Sequence, residues 1–157
     1  MEQINHAAKA HALFRQGYNC AQSVVGAFHE EIGLPLETAL RLSSSFGGGM
    51  GGLREYCGAV SAMYMVVGLL YGYSDADDYD AKKTHYARIR ELSQAFVEKH
   101  DTTVCRELLK SLPGKLQQDP MPRTEEYYKI RPCIRFVESA ASILEEFIAK
   151  QQEKPLP

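Results

Sequence analysis

The chain has 157 residues, of which 45% are hydrophobic and 24% are charged, and its formal net charge is -2. This balance is typical of a single globular domain, residues 1–157, and argues against nucleic acid or an anionic membrane as the main partner. The N-terminal residues lack the basic start and apolar core of a signal peptide, and the most apolar segment, residues 59–71, is too short to span a bilayer. We therefore expect a cytoplasmic protein with no membrane insertion.

Hydrophobic periodicity predicts helices along most of the chain, and no segment shows the sustained alternation of a strand. Asn19 is a candidate helix cap, Gly33 is a candidate helix stop, and Pro35 suits a first helical turn. Residues 57–72 are apolar on every side, which is typical of a buried central helix. The prediction is an all-α single-domain bundle of about six helices around this central one. In chain order, the predicted helices cover residues 4–14, 20–33, 35–45, 57–72, 75–100, 104–112 and 132–148.

Two segments between the predicted helices are unusual. Residues 47–52 contain five glycines, and such a run needs a reason because glycine loses the most conformational freedom on folding. Residues 112–132 contain four of the seven prolines. A long irregular connection inside a compact domain is often a binding loop or lid, and a surface linker is an equal alternative. We expect the closing residues, 153–157, to be a frayed tail.

The four cysteines, Cys20, Cys57, Cys105 and Cys133, are too far apart for a CxxC, CxxCH or zinc-finger motif. They share a position instead, because each falls in or near the first turn of a predicted helix. There the unpaired backbone N–H groups and the positive end of the helix dipole favour a thiolate. Arginines close to three of the cysteines act in the same direction. The alternative is that the cysteines are buried and inert.

The glycine run could serve a binding function or a purely structural one. It satisfies GxGxxG, but the dinucleotide fingerprint requires a preceding strand, and a helix is predicted there. We expect the glycines to let the backbone approach a thiolate, a cluster or a small ligand around Cys57. The structural alternative is a tight turn between two packed helices. The candidate binding residues are Gly47, Gly48, Gly49, Gly51 and Gly58.

The segment FGGGMGGLREYCGAVSAM, residues 46–63, closely resembles the central signature of the C_GCAxxG_C_C family of redox-active proteins. The four cysteines follow in the family's order, and Cys57 is followed by Gly58 and Ala59. One departure is Ala62, where the motif has a closing glycine, so we expect slightly looser packing on that helix face. The resemblance covers residues 17–147 and implies redox chemistry at the four cysteines.

Three functional hypotheses follow. In the first, which is slightly favoured, the cysteines cycle between dithiol and disulfide with a redox partner protein or a small electron donor, and Cys57 is the attacking thiolate. This would make the protein a thiol-based oxidoreductase. In the second, the four thiolates bind a metal ion or an iron–sulfur cluster. In the third, the protein is a helical interaction domain with inert cysteines. The sequence does not indicate the cysteine pairing or the oligomeric state.

Overall fold

A computed structural model describes residues 3–154 of the chain. Throughout this range the regular elements are helices, so the prediction of an all-α protein is confirmed. The remaining backbone pairing is an isolated antiparallel bridge between Tyr56 and Val104. The elements in chain order are α1 (His6–Arg15), α2 (Cys20–Ala27), α3 (Leu36–Ser43), the 3-10 turn η1 (Ser44–Phe46), α4 (Gly47–Met50), α5 (Gly58–Tyr71), α6 (Tyr79–His100), α7 (Cys105–Leu108), α8 (Glu125–Ile130) and α9 (Cys133–Glu153).

Helix α5 supplies much of the hydrophobic core. It packs against α2, α6 and α9, while α1 packs against α2 and α9. Burying one large aliphatic side chain contributes about 1.5–3 kcal/mol, so a helix with this many buried residues stabilises the fold strongly. Ala62, which replaces the glycine of the family motif, is itself fully buried. The other fully buried residues of α5 are Ala59, Val60, Met63, Val66 and Val67.

Local capping signals fix where two of the helices begin. The Asn19 side chain accepts a hydrogen bond from the Gln22 N–H (2.9 Å), and the Gln22 side chain accepts one from the Asn19 N–H (3.1 Å). This reciprocal pair is a capping box, and it sets α2 to begin at Cys20. Thr124 caps α8 by accepting a hydrogen bond from the Tyr127 N–H (3.1 Å). Helix α8 therefore lies inside the Pro-rich connection, which the sequence analysis expected to be irregular as far as residue 132.

Helix α2 ends at Ala27, earlier than the predicted stop at Gly33. Residues 28–33 form turns that contact α1 instead of continuing the helix. The His6 ring stacks on Phe28 with centroids 4.0 Å apart, and its Nε2 pairs with the Glu31 carboxylate. Gly33 has the left-handed conformation expected of a helix stop (φ 71°), but here it closes the turns that follow α2.

Two further expectations concern the chain end and the membrane. Within residues 3–154, no helix is both long enough and apolar enough to cross a bilayer. The expected frayed tail covered residues 153–157, of which only Glu153 and Lys154 are described. Glu153 is the last residue of α9, and residues 155–157 lie outside the described residues.

Candidate functional site

The four cysteines, distant from each other in the chain, line one small cavity. Its volume is about 20 Å³, which is room for about one water molecule. All four thiols are free, so no disulfide is present among the described residues. The structure thus brings together all the cysteines that the sequence analysis selected. The lining residues are Cys20, Cys57, Gly58, Cys105, Leu108, Leu109, Cys133 and Phe136.

Each cysteine lies at the start of a helix, as the sequence analysis predicted. Cys20, Cys105 and Cys133 are the first residues of α2, α7 and α9. Cys57 is the N-cap of α5, and the backbone N–H groups of Ala59 and Val60 act to lower its thiol pKa. The unpaired N–H groups of a helix start therefore act on at least this thiol, as expected.

Burial nevertheless outweighs the helix start in setting the thiol pKa. Burial raises the pKa of Cys57 well above its usual value, and the nearby Cys20 thiol raises it further. Burial also raises the pKa of Cys105, and it raises the pKa of Cys133 to about 12. Desolvation disfavours the charged form of a thiol. The sequence predicts that the helix starts favour the thiolate, whereas the net pKa shift at these three cysteines favours the neutral thiol.

A pair of backbone hydrogen bonds ties two of the cysteine segments together. The Cys57 N–H donates to the Thr103 carbonyl (2.8 Å), and the Cys105 N–H donates to the Glu55 carbonyl (2.6 Å). These bonds flank the isolated antiparallel bridge of the overall fold. Cys57 is opposite Thr103, and residues two apart along an extended segment lie on the same face. Cys105 is therefore a diagonal neighbour of Cys57 on the face that lines the cavity.

Three glycines make room for the cysteine-bearing segments. A Cβ on Gly58 would lie 2.6 Å from the Cys20 sulfur, and a Cβ on Gly49 would lie 2.6 Å from the Cys105 Cβ. A Cβ on Gly47 would lie 2.3 Å from the side chain that caps α2. Non-bonded carbon atoms do not approach so closely, so a side chain at any of these positions would push the segments apart.

The rest of the glycine run forms a left-handed turn. Positive φ values continue from Gly48 (66°) through Gly51 (55°) to Gly52 (83°). The atoms closest to a Cβ on Gly48 belong to Arg54, and the closest to a Cβ on Gly51 is a backbone oxygen of η1. Within the run, Gly47 lies against Asn19, which precedes Cys20, and Gly49 lies against Cys105, whereas the expectation from the sequence was that the run surrounds Cys57.

Two arginines face individual thiols. Arg54 Nη1 is 4.0 Å from the Cys105 sulfur, within hydrogen-bonding range for sulfur, and its charge opposes the effect of burial on the Cys105 pKa. Arg131 is 7% exposed, and its charge opposes the effect of burial on the Cys133 pKa. Both residues stabilise a thiolate when one forms.

Two arginines that are close to a cysteine in the sequence contact a different residue in the structure. Arg54 is three residues from Cys57 in the chain, yet its guanidinium reaches Cys105. Arg106 directly follows Cys105, but its guanidinium pairs with the exposed Glu55 carboxylate (2.8 Å). The backbone pairing around the antiparallel bridge decides these contacts, and no local pattern reveals it.

The four thiols do not fit a metal as they are arranged here. Among residues 3–154, no group of three or more His, Cys, Asp or Glu side chains could hold a metal ion. A single zinc ion requires sulfur atoms about 2.3 Å away, so the thiols would have to move toward a common centre. An iron–sulfur cluster has several heavy atoms and would require the cavity to expand.

Comparison with known proteins gives one match. Residues 18–147 match the family described as "Putative redox-active protein (C_GCAxxG_C_C)". No curated protein and no solved structure matches the chain. The matched range contains all four cysteines and the glycine run, which confirms the resemblance noted in the sequence. Because this match covers well over half of the chain, the protein belongs to the C_GCAxxG_C_C family of redox-active proteins.

Proposed function

We propose that the protein carries out thiol–disulfide exchange at its cysteine cluster. The observation that supports this most directly is that four free cysteines line one cavity of about 20 Å³. Besides burial, the Cys20 thiol contributes to the raised pKa of each of the other three cysteines. Cys20 is therefore the common neighbour in the cluster and the natural partner for a disulfide.

We assign the reversible disulfide to Cys20 and Cys105. The charges of both Arg54 and Arg131 act to lower the Cys105 pKa, which stabilises the thiolate that exchange requires. Cys57, the attacking thiolate expected from the sequence, is only 5% exposed, and no arginine is among the groups that shift its pKa. In this assignment Cys57 and Cys133 line the same cavity but do not form the disulfide.

The exchange proceeds in two steps. The partly exposed Cys20 attacks a disulfide of the partner as the thiolate, forming a mixed disulfide and releasing one partner thiolate. Cys105 then attacks the Cys20 sulfur and releases the second partner thiolate. The two cysteines lose two protons and two electrons, and the partner disulfide gains them as two thiols. The co-reactant is thus a protein disulfide or a small-molecule disulfide.

Metal binding by the same four cysteines is a second candidate function. The observation in its favour is the convergence of four sulfur side chains on one cavity, because four cysteine thiolates are a complete ligand set for zinc or an iron–sulfur cluster. Against it, binding requires the thiols to rearrange and to lose protons that burial stabilises.

One experiment separates these candidates. The protein is purified without oxygen, its metal content and visible absorption are recorded, and its thiols are titrated before and after addition of a small disulfide. Exchange predicts a colourless, metal-free protein that falls from four thiols to two and recovers with reductant. Metal near one site per chain, lost in Cys→Ser variants, would establish metal binding instead. Four thiols that neither oxidise nor bind metal would leave an inert helical domain.

Variants then test the assignment of roles. Cys105→Ser should accumulate a mixed disulfide on Cys20, visible as a mass adduct, because the second step is blocked. Cys20→Ser should remain fully reduced under the same treatment. Cys57→Ser is the matched control and should still form the Cys20–Cys105 bond, which peptide mapping detects. Loss of disulfide formation in Cys57→Ser alone would contradict the assignment.

A further inference from the structure

The same arginines that face the thiols also hold a neighbouring segment in place. We name residues 112–124, between α7 and α8, the strap. Arg54 Nε and Nη2 both donate to the Gln117 carbonyl of the strap, at 3.1 and 2.7 Å. The third nitrogen of the same guanidinium, Nη1, faces the Cys105 sulfur at 4.0 Å. One side chain therefore connects a redox-active thiol to the strap.

The backbone of Arg54 fixes where its guanidinium lies. Arg54 has a left-handed φ of 59°, which is uncommon for a residue with a side chain and typical of functional sites. Its N–H donates to the Gly48 carbonyl (3.0 Å), and its carbonyl accepts from the Arg106 N–H (3.1 Å). With the backbone held on both sides, the sulfur and the strap carbonyl together set the orientation of the guanidinium.

The second half of the strap is anchored by side chains other than Arg54. Arg131 Nη2 donates to the Met121 sulfur (3.1 Å). Arg123 donates to the carbonyls of Phe14 (3.1 Å) and Tyr18 (3.0 Å), and its guanidinium lies over the Phe14 ring. The strap therefore has two differently held parts, and Arg54 holds only the part around Gln117.

The first half of the strap otherwise faces solvent. A Cβ on Gly52 would lie 2.0 Å from the Gln118 carbonyl, so the strap rests directly on the glycine turn. Lys115, Gln117 and Gln118 are exposed, and together with Arg54 they border an open groove of about 730 Å³. With so little of this half buried, the bonds from Arg54 are a large fraction of what holds it.

We infer that the strap is a redox-dependent element, held at Gln117 while Cys105 is a thiol and released there when Cys105 enters a disulfide. This rests on the proposed function. Forming an S–S bond of about 2.05 Å draws the Cys105 sulfur toward Cys20 and removes its capacity to become a thiolate. Arg54 then loses one of the two groups that orient it, and its bonds to Gln117 compete less well with water. Release of the first half of the strap would let a partner distinguish the oxidised protein from the reduced one.

Trypsin provides the test, because Lys115 and Arg123 place one cleavage site in each half of the strap. In wild type, cleavage after Lys115 should be about fivefold faster in the oxidised than in the reduced protein, corresponding to the loss of about one hydrogen bond. Cleavage after Arg123 should be equal in both states and serves as the internal control. Thiol titration of the same samples reports whether oxidation took place.

Variants identify Arg54 as the link. Reduced Arg54→Gln should already be cleaved after Lys115 at the rate of oxidised wild type, with no further increase on oxidation. The matched control is Arg90→Gln, which removes the same charge from an exposed position of α6 and should behave as wild type. Equal wild-type rates after Lys115 in proven dithiol and disulfide states would overturn the inference and leave the proposed function intact. Thiols that never oxidise would overturn both.

Discussion

Replacing Gly58 by alanine tests whether the close approach of α2 and α5 positions Cys20. The added Cβ would lie 2.6 Å from both the Cys20 sulfur and the Phe46 carbonyl oxygen, and 3.3 Å from the Ala21 Cβ. The cysteine can change its rotamer, but the Phe46 oxygen belongs to the backbone that leads into the glycine turn. Overpacking costs about 1–3 kcal/mol, and the better helix propensity of alanine returns up to about 1 kcal/mol. We expect a net destabilisation of up to about 2 kcal/mol.

The assay is denaturant unfolding of the reduced protein, with thermal unfolding as a second measure, since 1 kcal/mol shifts Tm by about 2–4 °C in a chain of this size. The matched control is Gly68→Ala on the same helix, where a Cβ meets no atom within 4 Å. That variant should be stabilised by up to about 1 kcal/mol. If Gly58→Ala proves as stable as Gly68→Ala, the reasoning is refuted, because the contact would then yield without cost. Gly58→Ala should also slow disulfide formation by displacing Cys20.

Further predictions concern the helix cap and the thiols. Asn19→Ala removes the capping box of α2 and should lower the free energy of unfolding, measured in urea, by about 1–2 kcal/mol. Asn5→Ala removes the single cap bond of α1 and should lower it by less. The opposite order would contradict the role of the capping box. The pKa values of Cys57, Cys105 and Cys133 are raised. The rate of their alkylation by iodoacetamide should therefore increase about tenfold per pH unit between about pH 7 and 9. A plateau of the rate in that range is incompatible with buried neutral thiols. These thiols have higher pKa values in the folded state than in the unfolded state, where the value is about 8.5. Their contribution to the stability of the fold is therefore complete below about pH 8.5. It is lost as the pH rises through the folded pKa values, which for Cys133 is about 12. The denaturant concentration at the unfolding midpoint should therefore decrease as the pH is raised from about 8 to 10, and the decrease should be smaller in Cys133→Ala. An identical decrease in both proteins would show that the Cys133 thiol is not responsible.

Some features of the site could be predicted from the sequence because their signals are local. A helix cap acts within one turn, so Asn19 correctly placed Cys20 at a helix start, and Pro132 did the same for Cys133. Helix α8 carries the same kind of signal, a Thr124 cap followed by two acidic residues. This helix was not predicted, because the surrounding prolines favoured an irregular connection.

Other features depend on tertiary structure and could not be predicted. The sign of the thiol pKa shifts depends on burial, which arises only when the helices pack. The contact of Arg54 with Cys105 arises from a bridge between distant backbone segments. The early end of α2 leaves Glu31 in a turn that pairs with His6 of α1, a contact between residues far apart in the sequence. The metal hypothesis illustrates the same limit, because cysteine spacing cannot give the distances between sulfur atoms.

The distribution of the cysteines along the chain has a consequence for folding. The cavity is lined by residues at the starts of α2, α5, α7 and α9, and its last cysteine, Cys133, is the first residue of α9. During synthesis the N-terminal part of a chain is made first, and long-range contacts form late because loop closure costs entropy. A nascent or truncated chain therefore carries isolated thiols without the assembled cluster. The four-cysteine cavity is thus complete only once the last helix has docked, so burial of the thiols reports completed folding.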